Sequence, residues 1–150
     1  MKVPERLETK RLILRPYSEE EVDEFLDSYK IAEPGFSLVI STKEDETYLG
    51  TCGINPIRNS KNVSCLFALL PEIRGNGFAI EAMLKLLEYA FIKLKIPKIV
   101  AHIHPENTHG WKVAERIGMK YMGHVQHNEF IPKAMLFTIK YEEYDLQRAY

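Results

Sequence analysis

Residues 69–83 read LLPEIRGNGFAIEAM, and the fold turns on how that stretch divides. Leu69 and Leu70 end an apolar run that starts at Val63, and Pro71 closes it because proline brings no N–H to a strand ladder. Arg74, Gly75, Asn76 and Gly77 make a polar turn, after which Phe78 and Ala79 open a helical pattern. Ile80, Met83, Leu84, Leu87, Phe91 and Leu94 share one face, with Glu81, Lys85, Glu88 and Lys93 largely opposite, so the spacing predicts an amphipathic helix over 77–94. Strand, glycine turn and helix in that order read either as an anion cradle or as an ordinary glycine turn before an amphipathic helix. The two glycines permit close backbone approach, and the N–H groups of the first helical turn have no partner within the helix. Arg74 adds a charge-assisted contact, and a pyrophosphate suits the site. The turn lacks both the three-glycine dinucleotide spacing and a Gly-Lys-Ser/Thr phosphate loop, which weakens nicotinamide and nucleotide-triphosphate readings.

Upstream, RLILR at 11–15 reads as a strand stopped by Pro16, and Ser18 with Glu21 forms a capping pair that begins a helix over 18–29. Pro34 and Gly35 precede a strand at 36–41, a charged turn at 43–46 and its hairpin partner at 48–55. The run 63–70 has almost no polar alternation and reads as a central strand buried on both faces. Downstream come a strand at 98–104, a short helix over 108–117 with Gly118 as its C-terminal cap, and tail strands at 120–126 and 133–144. This order gives an α/β (α+β) fold, in which one mixed, largely antiparallel sheet is flanked by three to four helices in a single domain, 1–150.

Composition narrows the partners. The chain has 150 residues, 45% of them hydrophobic, enough for one well-filled core. Twenty basic against 21 acidic residues give a net charge of -1 and no reason to expect nucleic acid or an anionic membrane. The two cysteines, Cys52 and Cys65, make neither a disulfide scaffold nor a cysteine-rich zinc site, so a reducing, cytoplasmic setting is expected. The opening MKVPERLETKRLILRPYSEE is charged where a signal peptide would be apolar, and Glu and Lys interrupt AIEAMLKLLEYAFIKLKI too often for a membrane span. His102-x-His104 and His124-x-x-His127 lack an indicated third ligand, so no metal is expected.

Three blocks, LETKRLILRP, LLPEIRGNGFAIEAMLKLLEYAF and VAHIHPENTHGWKVAERIGMKYMGHV, stand in an order that resembles the GNAT acetyltransferases, most closely their ribosomal-protein N-terminal acetyltransferase (RimJ/RimL-like) branch. The tail LFTIKYEEYD resembles that family's last strand. The resemblance implies a sheet splayed at its centre, acetyl-CoA as acyl donor and a primary amine, a protein or peptide N-terminus or a small molecule, as acceptor. It places Arg74, Gly77 and Ala79 at the family's Arg/Gln-x-x-Gly-x-Gly/Ala positions, with the amides of Gly75, Asn76, Gly77, Phe78 and Ala79 on the pyrophosphate. Leu69 and Leu70 would pair with pantetheine, and the Leu70 backbone would polarise the thioester carbonyl. Asn107 would contact the pantetheine arm, with Trp111 and Val113 lining or supporting that side. Three positions depart from the family: Gly110 stands for a frequent Ser, Ala114 for a Tyr general acid, and Ser64 for a strand Glu.

Direct transfer needs a neutral amine held near the carbonyl and a route for its proton. His102 and His104, alternating along the strand before Asn107, are the candidates for that proton. Tyr121, Tyr141 and Tyr144 are further aromatic candidates, and Cys65 reads as a small hydrophobe. Only about twenty residues separate Ser18 from the strand at Phe36, which leaves a short cover over the acceptor. Tyr29, Glu33 and Phe36, with the loop 128–130, are expected at its rim. The exposed tail strands allow a monomer or a homodimer. With the family's Tyr and Glu missing, the alternative to an enzyme is a non-catalytic acyl-CoA-binding or protein-interaction module.

Overall fold

The computed structural model describes residues 1–18, 35–127, 129 and 132–148. Strands β1 (Leu7–Glu8), β2 (Leu12–Pro16), β3 (Phe36–Thr42), β4 (Tyr48–Pro56), β5 (Val63–Leu69), β6 (Lys98–Ile103), β7 (Lys120–Val125) and β8 (Ala134–Lys140) make one sheet. Their order is β1-β2-β3-β4-β5-β6-β8-β7. Helix α1 (Phe78–Glu88) crosses from β5 to β6, the one parallel pair among the described residues, and α2 (Thr108–Arg116) and α3 (Tyr141–Arg148) follow β6 and β8. The mixed, largely antiparallel sheet with flanking helices is the architecture expected from the sequence.

The two faces of the sheet differ in chemistry, and the difference places the site. Cross-strand partners share a face. Leu12, Leu14, Leu38, Cys52, Ile54, Val63, Ile99 and Phe137 thus line one side, where α1, the residues 89–93 that continue it and α2 bury Met83, Leu87, Phe91, Val113 and Ala114. The opposite side carries Ser37, Ser41, Thr51, Ser64, His102 and Thr138 among Ile13, Val39, Leu66, Val100 and Leu136. The first face drives folding through dense apolar burial. The second interleaves hydroxyls and an imidazole with apolar side chains, and so offers a ligand the polar groups the first face lacks.

Several boundaries depart from the sequence expectation. The helix predicted over 77–94 is α-helical only to Glu88, then widens over Tyr89–Lys93, where the Leu94 N–H reaches the Tyr89 C=O at 3.1 Å. The tail strand predicted over 133–144 stops at Lys140, and α3 begins. Glu143 accepts the Lys140 N–H at 2.9 Å, half of a capping box, so the pair Glu142-Glu143 was the overlooked start signal. Pro16 lies within β2, at its last pairing with Leu38. Strand β5 is central, yet Leu66 and Ala68 on its second face are only half-buried. The helix expected over 18–29 lies outside the described residues.

Candidate functional site

Strands β5 and β6 pair at Val63 with Ile99 and Ser64 with Val100, and then diverge. Between them opens a wedge, walled by the last residues of β5 and by Ala101–Ile103 of β6. The β4 ladder decides which β5 amides face it. Leu70 donates its N–H to Leu49 at 2.9 Å, and its carbonyl accepts from Ile73 at 3.2 Å. Antiparallel bonding alternates along a strand, and the β4–β5 register runs without a shift from Gly50–Leu69 to Pro56–Val63. Ala68 and Leu66 therefore also point their amides at β4, while Leu69 and Phe67 point theirs into the wedge. This corrects the expectation for Leu70: its backbone is engaged on the wrong side to polarise a carbonyl. Position parity, invisible without the register, leaves the amides of Phe67 and Leu69 as the ones that face the wedge.

At the mouth of the wedge the chain turns through Pro71–Ile73 into the cradle. Gly75 and Gly77 hold φ of +94° and +76°, a left-handed backbone that favours glycine. A Cβ on Gly75 would meet nothing within 4 Å, and one on Gly77 only the Arg11 Nη2 at 3.5 Å, so the space before both is open. Gly77 caps α1, and its carbonyl accepts the Glu81 N–H at 3.1 Å. The N–H groups of Gly77, Phe78, Ala79 and Ile80 precede that first helical bond and are left for an anion. Asn76 braces the turn from its side-chain amide to Ile73 C=O at 3.0 Å, and Arg74 bends back toward Leu69 C=O at 3.4 Å.

A cavity of about 120 Å³ lies here, lined by Leu69, Gly75, Gly77, Phe78, Ala79 and Ile80 on one side. His109, Lys112, Val113 and Arg116 of α2 form the other wall. Sequence reading missed this helix face, although the charged spacing was there to be seen. His109 has a buried Nε2 without a hydrogen-bond partner, and burial followed by nearby Arg74 holds its pKa below the ordinary histidine value. Trp111, by contrast, packs against the apolar core instead of lining this cavity.

The cradle is fixed from outside by a contact spanning some seventy residues of chain. Glu81 in the first turn of α1 accepts the Arg11 N–H at 2.9 Å, the Arg11 Nε at 2.7 Å and the Thr9 hydroxyl, while the Arg11 guanidinium sits 4.4 Å above the Phe78 ring. Partial burial pushes the Glu81 pKa up, but the Thr9 and Arg11 hydrogen bonds outweigh it and leave the carboxyl below its usual range.

On the other side, Asn107 caps α2: its Oδ1 accepts the Gly110 N–H at 2.9 Å. The departure at Gly110 has a local reason, since a Cβ there would sit 2.6 Å from Asn107 Nδ2. His104 is exposed and accepts the Glu106 N–H on Nδ1 at 3.1 Å, shaping the turn before α2. The C-terminus of α2 ends as expected at Gly118, φ +99°, with Met119 N–H on Ala114 and Gly118 N–H on Glu115, both at 3.0 Å.

His102 stands on the second face, two residues beyond the last β5–β6 pairing. Its ring stacks on His127 at 3.9 Å with planes 8° apart, and burial, then His127, lowers its pKa. It is therefore neutral near pH 7. Phe36 needs correction. It is 3% exposed on the helix face of β3, edge-on to Tyr89 at 6.3 Å, so it is core and not acceptor rim. Tyr29 and Glu33 lie outside the described residues, as do Asn128 and Phe130. Of the tail tyrosines, Tyr144 stacks on Phe91 at 4.8 Å, and the Tyr121 hydroxyl lies 2.5 Å from His124 Nδ1. Cys52 and Cys65 are buried free thiols, and desolvation pushes Cys65 up to about 12, so it is no thiolate nucleophile.

Ser64 donates to Asn55 C=O at 3.3 Å, and Ala114 is fully buried, so neither position carries an acid or base of its own. Among the described residues no three His, Cys, Asp or Glu side chains group as metal ligands, and no helix is long and apolar enough to cross a membrane.

Comparison with known proteins places this geometry. The family model described as acetyltransferase (GNAT) domain matches residues 4–120. The uncharacterized N-acetyltransferase p20 of Bacillus licheniformis is 34% identical over 89 residues, 59% of this chain and 49% of that protein. The chain spans about half the length of the curated relatives it matches. Among solved structures, an acetyltransferase from Agrobacterium tumefaciens str. C58 superposes with a TM-score of 0.74 at 23% identity, covering 93% of this chain and 95% of that one. Mycobacterium smegmatis RimJ, solved in complex with CoA-disulfide, gives 0.74 at 16% identity, covering 93% and 89%.

Proposed function

Because the chain belongs to the GNAT acetyltransferase domain family, we propose that it moves an acetyl group from acetyl-CoA to a primary amine by direct transfer in a ternary complex. The observation that carries this reading is the wedge between β5 and β6, which ends in a cradle of four unpartnered amides behind two positive-φ glycines. The residues fit the donor on their own chemistry. The space before Gly75 and Gly77 is open to a close approach, and the cavity wall offers cations and a buried, unpartnered imidazole nitrogen. When bound, acetyl-CoA supplies the activated acyl group. Arg74 and the free amides of Gly77 through Ile80 hold its pyrophosphate, Leu69 and Phe67 present strand-edge groups to its arm, and Asn107 stands at the head of α2 on the other side.

Preorganised amides in the wedge stabilise the carbonyl oxygen as negative charge builds on it. The amine nitrogen forms the new C–N bond as the C–S bond breaks. Its proton passes to neutral His102, directly or through water, and the sulfur leaves as the thiol after protonation by water. His104, which serves the turn, takes a lesser part. The acceptor approaches over the second face, beside the half-buried Ser64 and His102. A protein or peptide N-terminus, as in the RimJ/RimL-like branch, and a small amine both suit that face.

Calorimetry with acetyl-CoA tests the donor, with Gly77→Trp as the blocked variant. Saturable binding by the native chain, lost in the variant, is expected, and absence of binding by the native chain defeats the proposal. Ala114 and Ser64, at the positions of the family's Tyr and Glu, favour one second reading, a non-catalytic acyl-CoA-binding module. Turnover of any amine that disappears when the cradle is blocked rejects it.

A further inference from the structure

We propose that the end of the sheet opposite the wedge is a docking surface for single-stranded nucleic acid. Its phosphates lie along Lys95, Lys98 and Lys140, and one of its bases enters a cavity beside Tyr141. The surface is remote from the donor cradle and stands independently of the acetyl-transfer reading.

Residues 93–98 read KLKIPK and carry the chain from the widened turn after α1 into β6. Lys98 stands directly across from Lys140 of β8, on the second face of the sheet. Like charges opposite one another destabilise a ladder, so this pair costs the fold stability that an anion would restore. Glu143, three residues beyond Lys140, is bonded instead to Lys120 Nζ at 2.6 Å. The β4–β5 turn brings the exposed Arg58 and Lys61 to the same end, because Val63 is level with Ile99. Among the described residues none of Arg58, Lys61, Lys93, Lys95, Lys98 and Lys140 pairs with a carboxylate, whereas Arg6, Arg11, Lys85, Lys120 and Arg148 each do. The whole-chain net charge of -1 averages this concentration away.

Charge alone suits any polyanion, and the cavity beside it narrows the choice. About 520 Å³ in volume, it is walled by Ile92, Ile96, Pro97 and Tyr141, with Lys95 and Glu142 as its charged groups. Pockets of roughly 300–1,000 Å³ take ligands of drug size, which is room for a nucleotide. Tyr141 is 37% exposed, and its place is fixed: its N–H donates to the Pro97 C=O at 3.0 Å, and its ring lies 6.1 Å from that of Phe91. An aromatic ring beside lysines is the means by which unpaired bases are stacked while their phosphates are neutralised. Glu142 supplies an acceptor for the amino edge of a base. A duplex keeps its bases stacked inside and leaves the cavity empty. Acyl chains, or the side chains of an acidic peptide, would meet the Glu142 carboxylate at that wall.

Fluorescence anisotropy with a labelled mixed-sequence oligonucleotide of about twelve nucleotides, as single-stranded RNA, single-stranded DNA and duplex, tests the surface without acetyl transfer. Flotation with vesicles containing phosphatidylserine runs beside it. The full chain should bind at least one single strand with Kd on the order of 10⁻⁶–10⁻⁴ M at physiological salt, and the duplex more weakly. Lys95→Gln/Lys98→Gln/Lys140→Gln should lower the dependence of log Kd on log salt by about 2, the loss of three phosphate contacts. Tyr141→Leu, which keeps an apolar body against Phe91 but no ring, should weaken binding by about 5–150-fold, and Tyr141→Phe should stay within about threefold of native. Lys10→Gln/Lys43→Gln/Lys133→Gln removes the same charge elsewhere and should also stay within about threefold, with thermal unfolding confirming that every variant is folded. No saturable binding of either single strand, or capture by vesicles alone, overturns the proposal. So does a duplex bound as tightly as the single strands, a folded Tyr141→Leu that binds like native, or a control that loses as much as the lysine triple variant.

Discussion

Replacing Gly77 by alanine separates the cost of backbone strain from the cost of blocking an anion. Gly77 sits at φ +76°, where an L-residue is worse off by roughly 1–2 kcal/mol, and its added Cβ makes only an ordinary 3.5 Å contact with Arg11 Nη2. For a chain of 150 residues that lowers the melting midpoint by about 2–8 °C and leaves the fold intact. The methyl group stands where phosphate oxygens must close on the first-turn amides. Hydrogen bonds to a charged acceptor contribute ~1.5–3 kcal/mol each; loss of two in an open turn, taken at the low end, is about 3 kcal/mol, or roughly 150-fold in Kd. Gly123→Ala is the matched control, since Gly123 has φ +103°, no neighbour within 4 Å of an added Cβ, and lies on the outer strand β7. Calorimetry with acetyl-CoA, backed by thermal unfolding, should show similar destabilisation in the two variants but weak binding only in Gly77→Ala. Binding by Gly77→Ala within about threefold of native, with the chain folded, would refute the cradle.

Other expectations follow from the strand register and the titrating groups. Phe67→Pro removes an amide that faces the wedge, so relative to Phe67→Ala it should keep acetyl-CoA affinity and lose about 10²–10³ in turnover; equal turnover in the two would return the donor to another group. Gly50→Ala sets a Cβ 2.1 Å from the Ala68 carbonyl and 2.9 Å from Leu69 Cα, so the β4–β5 ladder must shift. A loss of about 3 kcal/mol, read by denaturant unfolding, is expected, and a change below about 1 kcal/mol contradicts the packing. His102 and His109 both have folded pKa values below the ordinary 6.5, so the unfolded chain binds more protons. Their contribution to stability is complete above 6.5 and is lost as pH falls from there toward the folded values. The melting midpoint should drop between pH 7.5 and 5.5, and His102→Asn/His109→Asn should flatten the drop; a native midpoint constant over that range removes the assignment. Glu81 lies outside this window, because a carboxyl held below 4.5 loses its contribution only at more acid pH.

The elements written in local pattern were legible before the structure. The hairpin at 36–55, the apolar run from Val63, the helix after Gly77 and the Gly118 cap all follow from periodicity and turn chemistry acting over a few residues. The tail helix was legible too, in Glu142 and Glu143, but the apolar alternation of β8 masked it. What could not be read was set by distant pairing. Whether the Leu70 or the Leu69 amide faces the wedge depends on the partner of Leu49 across a ladder, and a one-residue change of register would exchange them. Phe36 was misplaced for the same reason: alternation puts it on a face, and only its neighbours say which. The Arg11–Glu81 tie and the His102–His127 stack join residues far apart in the chain, with no local signal for either. His109, Lys112 and Arg116 lay in plain view at helical spacing, yet they become a wall only once α1 stands opposite them.

The most direct test of the acetyl-transfer account is release of CoA thiol from acetyl-CoA, run with peptides beginning Ala, Ser or Met, polyamines, aminoglycosides and free amino acids, with product mass recorded. The account expects at least one amine to give thiol in step with a product heavier by one acetyl group, and both signals to vanish in Gly77→Trp. Tight acetyl-CoA binding with no acetylated product from any amine in the panel would contradict transfer and leave a binding module in its place.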